Sequence, residues 1–344
     1  MAKKIKVLIV DDSMLIRAMF AEMLANEPDI EVVGTAIDPF DAREKIKQLN
    51  PDVITLDVEM PKMDGISFLE KIMALRPMPV IMVSSLTAKG ADITIRALEI
   101  GAADFLTKPA AQDEKNLLAM KHELVSKIKA ATKQNLFSRS ERIVVSSPAL
   151  SFKGNSANKL IAIGSSTGGV EALRDVLQVL PANLPPIVIT QHMPAGFTKS
   201  FATRLDKLCA ATVHEAQHLQ ALEAGNIYIA AGDKHLEVRG SAGRWQAFIR
   251  DGETVSGHKP SVDVLFSSVA ENVGKRAIGV ILTGMGHDGA AGLLKMREAG
   301  SHTMGQNEAS CVVYGMPKVA KNLGAVENEL PLSKIAAEIV RLCG

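Results

Sequence analysis

Two sets of residues in this sequence have the types and spacing to do chemistry. The first is acidic. Asp11 and Asp12 follow an apolar run at 5–10, Asp57 follows one at 53–56, Ser84 follows 80–83, and Lys108 follows 104–106. Three carboxylates drawn into one pocket repel each other and call for a cation, and a hard divalent ion such as Mg²⁺ suits carboxylate and phosphate oxygens. Lys108 adds a compact positive charge for a phosphoryl oxygen, and Ser84 adds a hydroxyl donor. In that setting Asp57 is a carboxylate nucleophile toward phosphorus, a phosphate acceptor. A lone aspartate after a strand would more simply cap a turn. The full set VDDS, TLDVEMPKMDG, VSS and FLTKP at successive strand ends is too much for capping alone.

The second set pairs a hydroxyl with an imidazole and a carboxylate. LIAIGSSTGG at 160–169 reads as a strand, a glycine-rich turn and a helix start, and 164–168 fits the G-x-S-x-G nucleophile pattern. IVITQHMPAGFT sets His192 just past another strand, and GVILTGMGHDG sets Asp288 past a third. If the three strands are parallel neighbours, Ser166, His192 and Asp288 meet at one sheet edge. There His192 would take the serine proton and Asp288 would hold the imidazole tautomer, which is acyl-transfer chemistry. Backbone amides from Thr167 onward could serve a developing oxyanion.

Other readings compete. GSSTGG could cradle a phosphate at a helix N-terminus. A dinucleotide site would need an acidic ribose partner after the next strand, which instead ends Thr190-Gln191-His192. The order Ser…His…Asp also differs from the Ser…Asp…His order of α/β-hydrolases. His214-Glu215-Ala216-Gln217-His218 matches the zinc pattern H-E-x-x-H. That chemistry needs a helix and a third ligand, whereas this segment leads into a strand and has neither. His287 rivals His192 as base, but residues adjacent on a turn, as it is to Asp288, rarely face each other. His258 is expected at the substrate cleft; His122, His235 and His302 are expected to be surface or structural.

The elements that must position these groups form a strand–helix alternation. Strand-like runs fall at 5–10, 30–34, 53–56, 80–83 and 104–106, then at 160–163, 187–190, 227–230, 235–238 and 277–282. Apolar residues at 15, 16, 19, 20, 23 and 24 have helical spacing, and helices are expected at 170–180 and 289–299. This rhythm implies βαβ units and parallel α/β sheets. A stretch at 133–158 rich in Ser, Lys, Arg and Asn reads as a linker. The net charge of +1 gives no footprint for nucleic acid. Three widely spaced cysteines make no disulfide framework, which points to a reducing, cytoplasmic setting. No apolar run reaches the length of a membrane span.

The motifs over 4–122 resemble the receiver domain of bacterial response regulators. The resemblance implies a flavodoxin-like, parallel five-stranded sheet. It also implies Mg²⁺ held by Asp12, Asp57 and the backbone carbonyl of Glu59 with Asp11 assisting, and joint movement of Ser84 and Phe105 when Asp57 is phosphorylated. After a linker at 123–154, residues 155–344 resemble the catalytic domain of the CheB protein-glutamate methylesterases. HKPSVDVLF at 258–266 and GQNEASCVVYGMP at 305–317 carry the likeness further. It implies a doubly wound, mainly parallel α/β domain with Ser166 as nucleophile, His192 as base and Asp288 as its orienting partner. The Met285 backbone would join Thr167 at the oxyanion, and the esterase site would need no cofactor. Ser165 stands where this family usually has alanine, which puts a second hydroxyl beside the nucleophile. The implied function is phosphorylation-activated hydrolysis of glutamyl methyl esters, and deamidation of particular glutamines, on chemoreceptors. The implied partners are a histidine kinase and the chemoreceptors, with no nucleic acid, no membrane insertion and a monomeric chain.

Overall fold

The computed structural model describes residues 3–85, 87–108, 114–132, 150–152, 154, 158–241 and 243–344. The chain divides into two compact units, Met1–Val144 and Val145–Gly344.

The first unit alternates β1 (Ile5–Val10), α1 (Met14–Ala25), β2 (Ile30–Ala36), α2 (Pro39–Leu49), β3 (Val53–Asp57), α3 (Gly65–Leu75), β4 (Val80–Ser84), α4 (Ala88–Ile100), β5 (Asp104–Thr107) and α5 (Glu114–Ala131). The strands form one parallel sheet in the order β2-β1-β3-β4-β5. β3 and β4 are buried along their whole length, as expected for central parallel strands covered on both faces. Helix starts are written locally. The side chains of Ser13, Asp38, Asp64 and Thr87 each accept an amide hydrogen from the first turn that follows. The last helix corrects one expected boundary. α5 continues nine residues past 122 because Leu124, Ile128 and Ala131 keep a helical stripe in the core beside Phe20 and Leu106. Residues 123–131 therefore belong to this unit, and most of the expected linker, 133–149, lies outside the described residues.

The second unit is built from β6 (Leu160–Ser165), α6 (Gly169–Leu177), β7 (Ile187–Gln191), α7 (Phe197–Asp206), β8 (Thr212–Glu215), β9 (Gln220–Ala221), β10 (Asn226–Ile229), β11 (His235–Ser241), β12 (Arg244–Arg250), α8 (Val262–Asn272), β13 (Ala277–Ile281), α9 (Ala290–Glu298), β14 (His302–Gln306), α10 (Met316–Asn322), β15 (Asn328–Leu330) and α11 (Leu332–Cys343). Seven strands make a parallel sheet, ordered β15-β14-β13-β6-β7-β10-β8. From β6 the chain builds outward to one side through β7, and later returns to build the other side from β13. That reversal opens a crevice at the carboxyl ends of β6, β7 and β13, where such folds bind ligands. The strand expected at 235–238 is real but lies elsewhere. β11 pairs antiparallel with β12, and β12 with β9, in a separate three-stranded sheet. Leu236 and Val238 on its inner face pack with Trp245, Leu265 and Phe266 in the core of the unit.

The H-E-x-x-H segment is not helical. His214 lies on β8 and meets Asn226 Oδ1 at 3.0 Å, while His218 follows in a turn, where its Nδ1 accepts from Ile249 N at 3.2 Å.

Phe266 is fully buried in this core. Phe266→Ala is expected to destabilise the second unit by about 3–5 kcal/mol through lost burial and a residual cavity. The chain has one tryptophan, and Trp245 is buried in the same core. Urea unfolding followed by its fluorescence therefore reports this unit alone, and an unchanged midpoint would contradict the packing described.

Candidate active site

Ser166, His192 and Asp288 converge at the crevice. Ser166 directly follows β6 and His192 directly follows β7, neighbouring strands in register. Asp288 lies in the turn between β13 and α9. His192 Nδ1 is 3.0 Å from Ser166 Oγ, and His192 Nε2 is 2.8 Å from Asp288 Oδ2. With an ionised Asp288, Nε2 carries the hydrogen and Nδ1 presents its lone pair to the serine.

Asp288 is held from two sides. Its Oδ1 accepts from Ser261 Oγ at 2.8 Å and from Asp263 N at 3.0 Å, and its Oδ2 accepts from Val262 N at 2.7 Å as well as from His192. Ser261 is the N-cap of α8, so the carboxylate sits on the amide-rich, positive end of that helix. Burial opposes its ionisation, but the His192 contact and the two α8 amides outweigh that and hold its carboxyl below the ordinary aspartate range. His235, fully buried, steadies this end of the helix. Its Nε2 donates to Glu253 O at 2.9 Å, and its Nδ1 accepts from Ser261 N at 3.3 Å. His258 lies flat on His192, the two rings 3.7 Å apart and 13° from parallel. His287, by contrast, is exposed.

The turn after β13 presses against Ser166. Ser166 N donates to Thr283 O at 3.0 Å. A Cβ on Gly284 would lie 2.8 Å from Ser166 Cβ and 2.2 Å from Met316 Sδ, so glycine is needed for this approach. Met285 follows in the same turn, half-buried. Thr167 is buried, and its carbonyl accepts from Thr283 Oγ1 at 3.0 Å. Ser165 has no exposed surface and hydrogen-bonds Gln191 Oε1 at 2.6 Å, so of the two adjacent hydroxyls only that of Ser166 meets the imidazole. Gln191, Ser261 and His235 were not singled out as site residues from sequence. Gln191 and Ser261 had only adjacency to the motifs, in Q-H-M and K-P-S-V-D, as a signal, and His235 had none.

The first unit gathers the acidic set as expected. Asp11, Asp12 and Asp57 offer oxygens that all lie within 4.8 Å of one another. Lys108 Nζ is 2.9 Å from Oδ2 of both Asp11 and Asp57. One lysine charge thus faces two of the three carboxylates, which leaves the pocket short of positive charge. Burial pushes the Asp57 carboxyl up to about 6; the Asp11 charge adds to this, and Lys108 and the Glu59 amide oppose it. An all-oxygen donor set of three carboxylates with a net negative charge fits a hard divalent cation. Glu59 contributes its amide here, 3.3 Å from Asp57 Oδ1. Ser84, buried at the end of β4, bonds Ser85 O at 3.3 Å. Phe105 is buried in β5 beneath Lys127, whose Nζ lies 4.9 Å from the ring. Burial would lower the Lys127 pKa, but Asp104 and Glu123 drive it well above the usual lysine range.

Comparison with known proteins agrees with both units. A family model described as CheB methylesterase matches residues 161–339, and one described as response regulator receiver domain matches 7–120. A protein-glutamate methylesterase/protein-glutamine glutaminase of Pectobacterium atrosepticum is 53% identical over 342 residues, covering 98% of this chain and 96% of its own length. The protein of the same description from Escherichia coli K12 is 53% identical over 339 residues, with the same coverage. Among solved structures, the Thermotoga maritima CheB methylesterase catalytic domain superposes with a TM-score of 0.53 at 39% identity, over 54% of this chain and 99% of that one. A receiver-type acidic pocket in the first unit and a serine, a histidine and an aspartate in hydrogen-bond contact in the second thus fall within one lineage, and the chain belongs to the CheB methylesterase family.

Proposed function

We propose that this chain is a phosphorylation-controlled protein-glutamate methylesterase and protein-glutamine glutaminase acting on chemoreceptors. The observation that carries the reading is the contact sequence from Ser166 Oγ to His192 Nδ1 and from His192 Nε2 to Asp288 Oδ2, at 3.0 and 2.8 Å.

Ser166 Oγ attacks the ester carbonyl carbon as its proton passes to Nδ1 of His192. Asp288 stabilises the imidazolium through Nε2–H, and the α8 amides keep that carboxylate ionised. The oxyanion is met by backbone amides at Thr167 and Met285. The carbon–methoxy bond then breaks, Nδ1 gives its proton to the leaving oxygen, and methanol departs. Water, deprotonated by the same nitrogen, attacks the acyl-serine and releases a glutamate side chain. With a glutamine substrate the steps are the same and ammonia leaves. Ser165 is too tightly engaged to attack.

In the first unit Asp57 accepts a phosphoryl group from a histidine kinase, and this controls the esterase. Asp11, Asp12 and Asp57 would hold Mg²⁺, with the Glu59 carbonyl as a further ligand; the ion would neutralise charge on the acids and the incoming phosphoryl oxygens. Lys108 binds a phosphoryl oxygen, and Ser84 with Phe105 responds to it. On this reading the chain acts in the cytoplasm as a monomer; among the described residues no helix is long and apolar enough to cross a membrane.

Ser166→Ala is expected to lower methanol release from methylated receptor by about 10⁴-fold or more while leaving Asp57 phosphorylation intact. Retained hydrolysis would remove Ser166 as nucleophile. Asp57→Ala should keep basal hydrolysis and lose its stimulation by a small acyl phosphate; stimulation that persists would exclude Asp57 as acceptor. Asp288→Asn should cut kcat by about 10⁴-fold with little change in KM, because the amide fixes the wrong imidazole tautomer. Mg²⁺ at about 100 times its Kd should stabilise the first unit by about 2.7 kcal/mol. Calorimetry should record this as a higher melting temperature, and Asp12→Asn should shrink it; an equal rise in that variant would argue against the carboxylate site.

A further inference from the structure

Ser165 and Gln191 sit between the reacting groups without taking part in the chemistry. They are the last residues of β6 and β7 and face each other across that ladder, each one position before a reacting residue. Both are buried, with 0% and 3% of their surface exposed. Ser165 Oγ donates to Gln191 Oε1 at 2.6 Å. The amide nitrogen, Nε2, then donates twice, to Ser166 O at 3.0 Å and to His192 O at 3.2 Å. His192 N closes the ring of contacts by donating to Ser165 O at 3.2 Å.

A primary amide has two faces of nearly equal shape and opposite polarity. Only one suits this chamber, since the flipped form would set Oε1 against two carbonyl oxygens. The correct form leaves Oε1 in need of a donor, and Ser165 supplies it. The space is shaped to the amide as well. A Cβ on Gly169 would fall 2.1 Å from Gln191 Oε1 and 2.8 Å from Ser165 Cβ. A buried acceptor stripped of its donor costs free energy, so with alanine at 165 the amide would lose its anchor.

We infer that Gln191 is a positioning residue that ties the Ser166 and His192 backbones together, and that the Ser165 hydroxyl holds its amide in the orientation required. This rests on the reading of Ser166 as nucleophile and His192 as base. Neither residue of the pair touches substrate. Their effect is on how closely Nδ1 approaches Oγ, and so on kcat rather than KM.

The test uses the full chain with acyl phosphate present in every arm. It measures methanol release and the rate of covalent labelling by a fluorophosphonate. Ser165→Ala is expected to lower kcat and labelling rate about 3- to 10-fold, the size of one neutral hydrogen bond, at unchanged KM and full final labelling. Gln191→Met should lose about 10- to 100-fold, and adding Ser165→Ala to it should cost nothing more, since the hydroxyl acts through the amide. An unchanged labelling rate in Ser165→Ala, or the same loss in both backgrounds, overturns the inference and leaves Ser166 as nucleophile. Complete loss of labelling in Ser165→Ala overturns both. If Gln191→Met does not fold, the single Ser165→Ala variant decides the matter by its labelling rate.

Discussion

The second unit depends on one buried carboxylate seated on a helix end. Asp288 takes hydrogen bonds from the Ser261 hydroxyl, two amides of α8 and the imidazole of His192. The amides at a helix start have no partners inside the helix and gather the positive end of its dipole, so they favour an anion. The arrangement serves both parties. The helix gains a cap supplied from a distant loop, and the carboxylate gains a charge environment that keeps it ionised in spite of burial. Removing it would disturb fold and chemistry together. For this reason His235, remote from the serine, still belongs to the site: it fixes the amide of the residue that caps the helix.

Asp288 and Asp57 show how far surroundings decide the state of a carboxyl group. Asp288 is buried among donors, and its carboxyl is pulled down. Asp57 is buried beside another carboxylate with one lysine between them, and its carboxyl is raised to about 6. The first environment is complete without an ion and suits a permanent anion. The second is short of positive charge and suits a cation nearby. Sequence alone shows the same letter after an apolar run in both places.

Much of this was legible in the sequence, for identifiable reasons. Central parallel strands are continuous apolar runs, so β1, β3, β4, β6, β7 and β13 stood out, and Ser166, His192 and Asp288, which the fold brings into contact, were picked out by where those runs stop. Edge and hairpin strands were harder. β8 at the edge of the main sheet and β12 in the antiparallel sheet mix charged and polar residues with apolar ones and were not among the strands expected, nor was the short, buried β14, and β11 was read as part of the main sheet because pairing direction leaves no mark on a short strand. The α5 boundary was missed because its last two turns mix lysines with the core-facing Leu124, Ile128 and Ala131. Gln191 and Ser261 were invisible as site residues because their roles arise from contacts across 25 and 27 positions of chain.

The register of β6 against β7 has a mechanical consequence. Ser166 and His192 each begin where a paired strand ends, so their separation is metered by the lattice of main-chain hydrogen bonds, with a strand spacing of about 4.8 Å. That lattice is stiffer than side-chain packing and nearly indifferent to which apolar residues fill the core. Evolution can therefore exchange the hydrophobic interior of this unit widely, altering how firmly it holds together, while the gap between Ser166 and His192 stays the same.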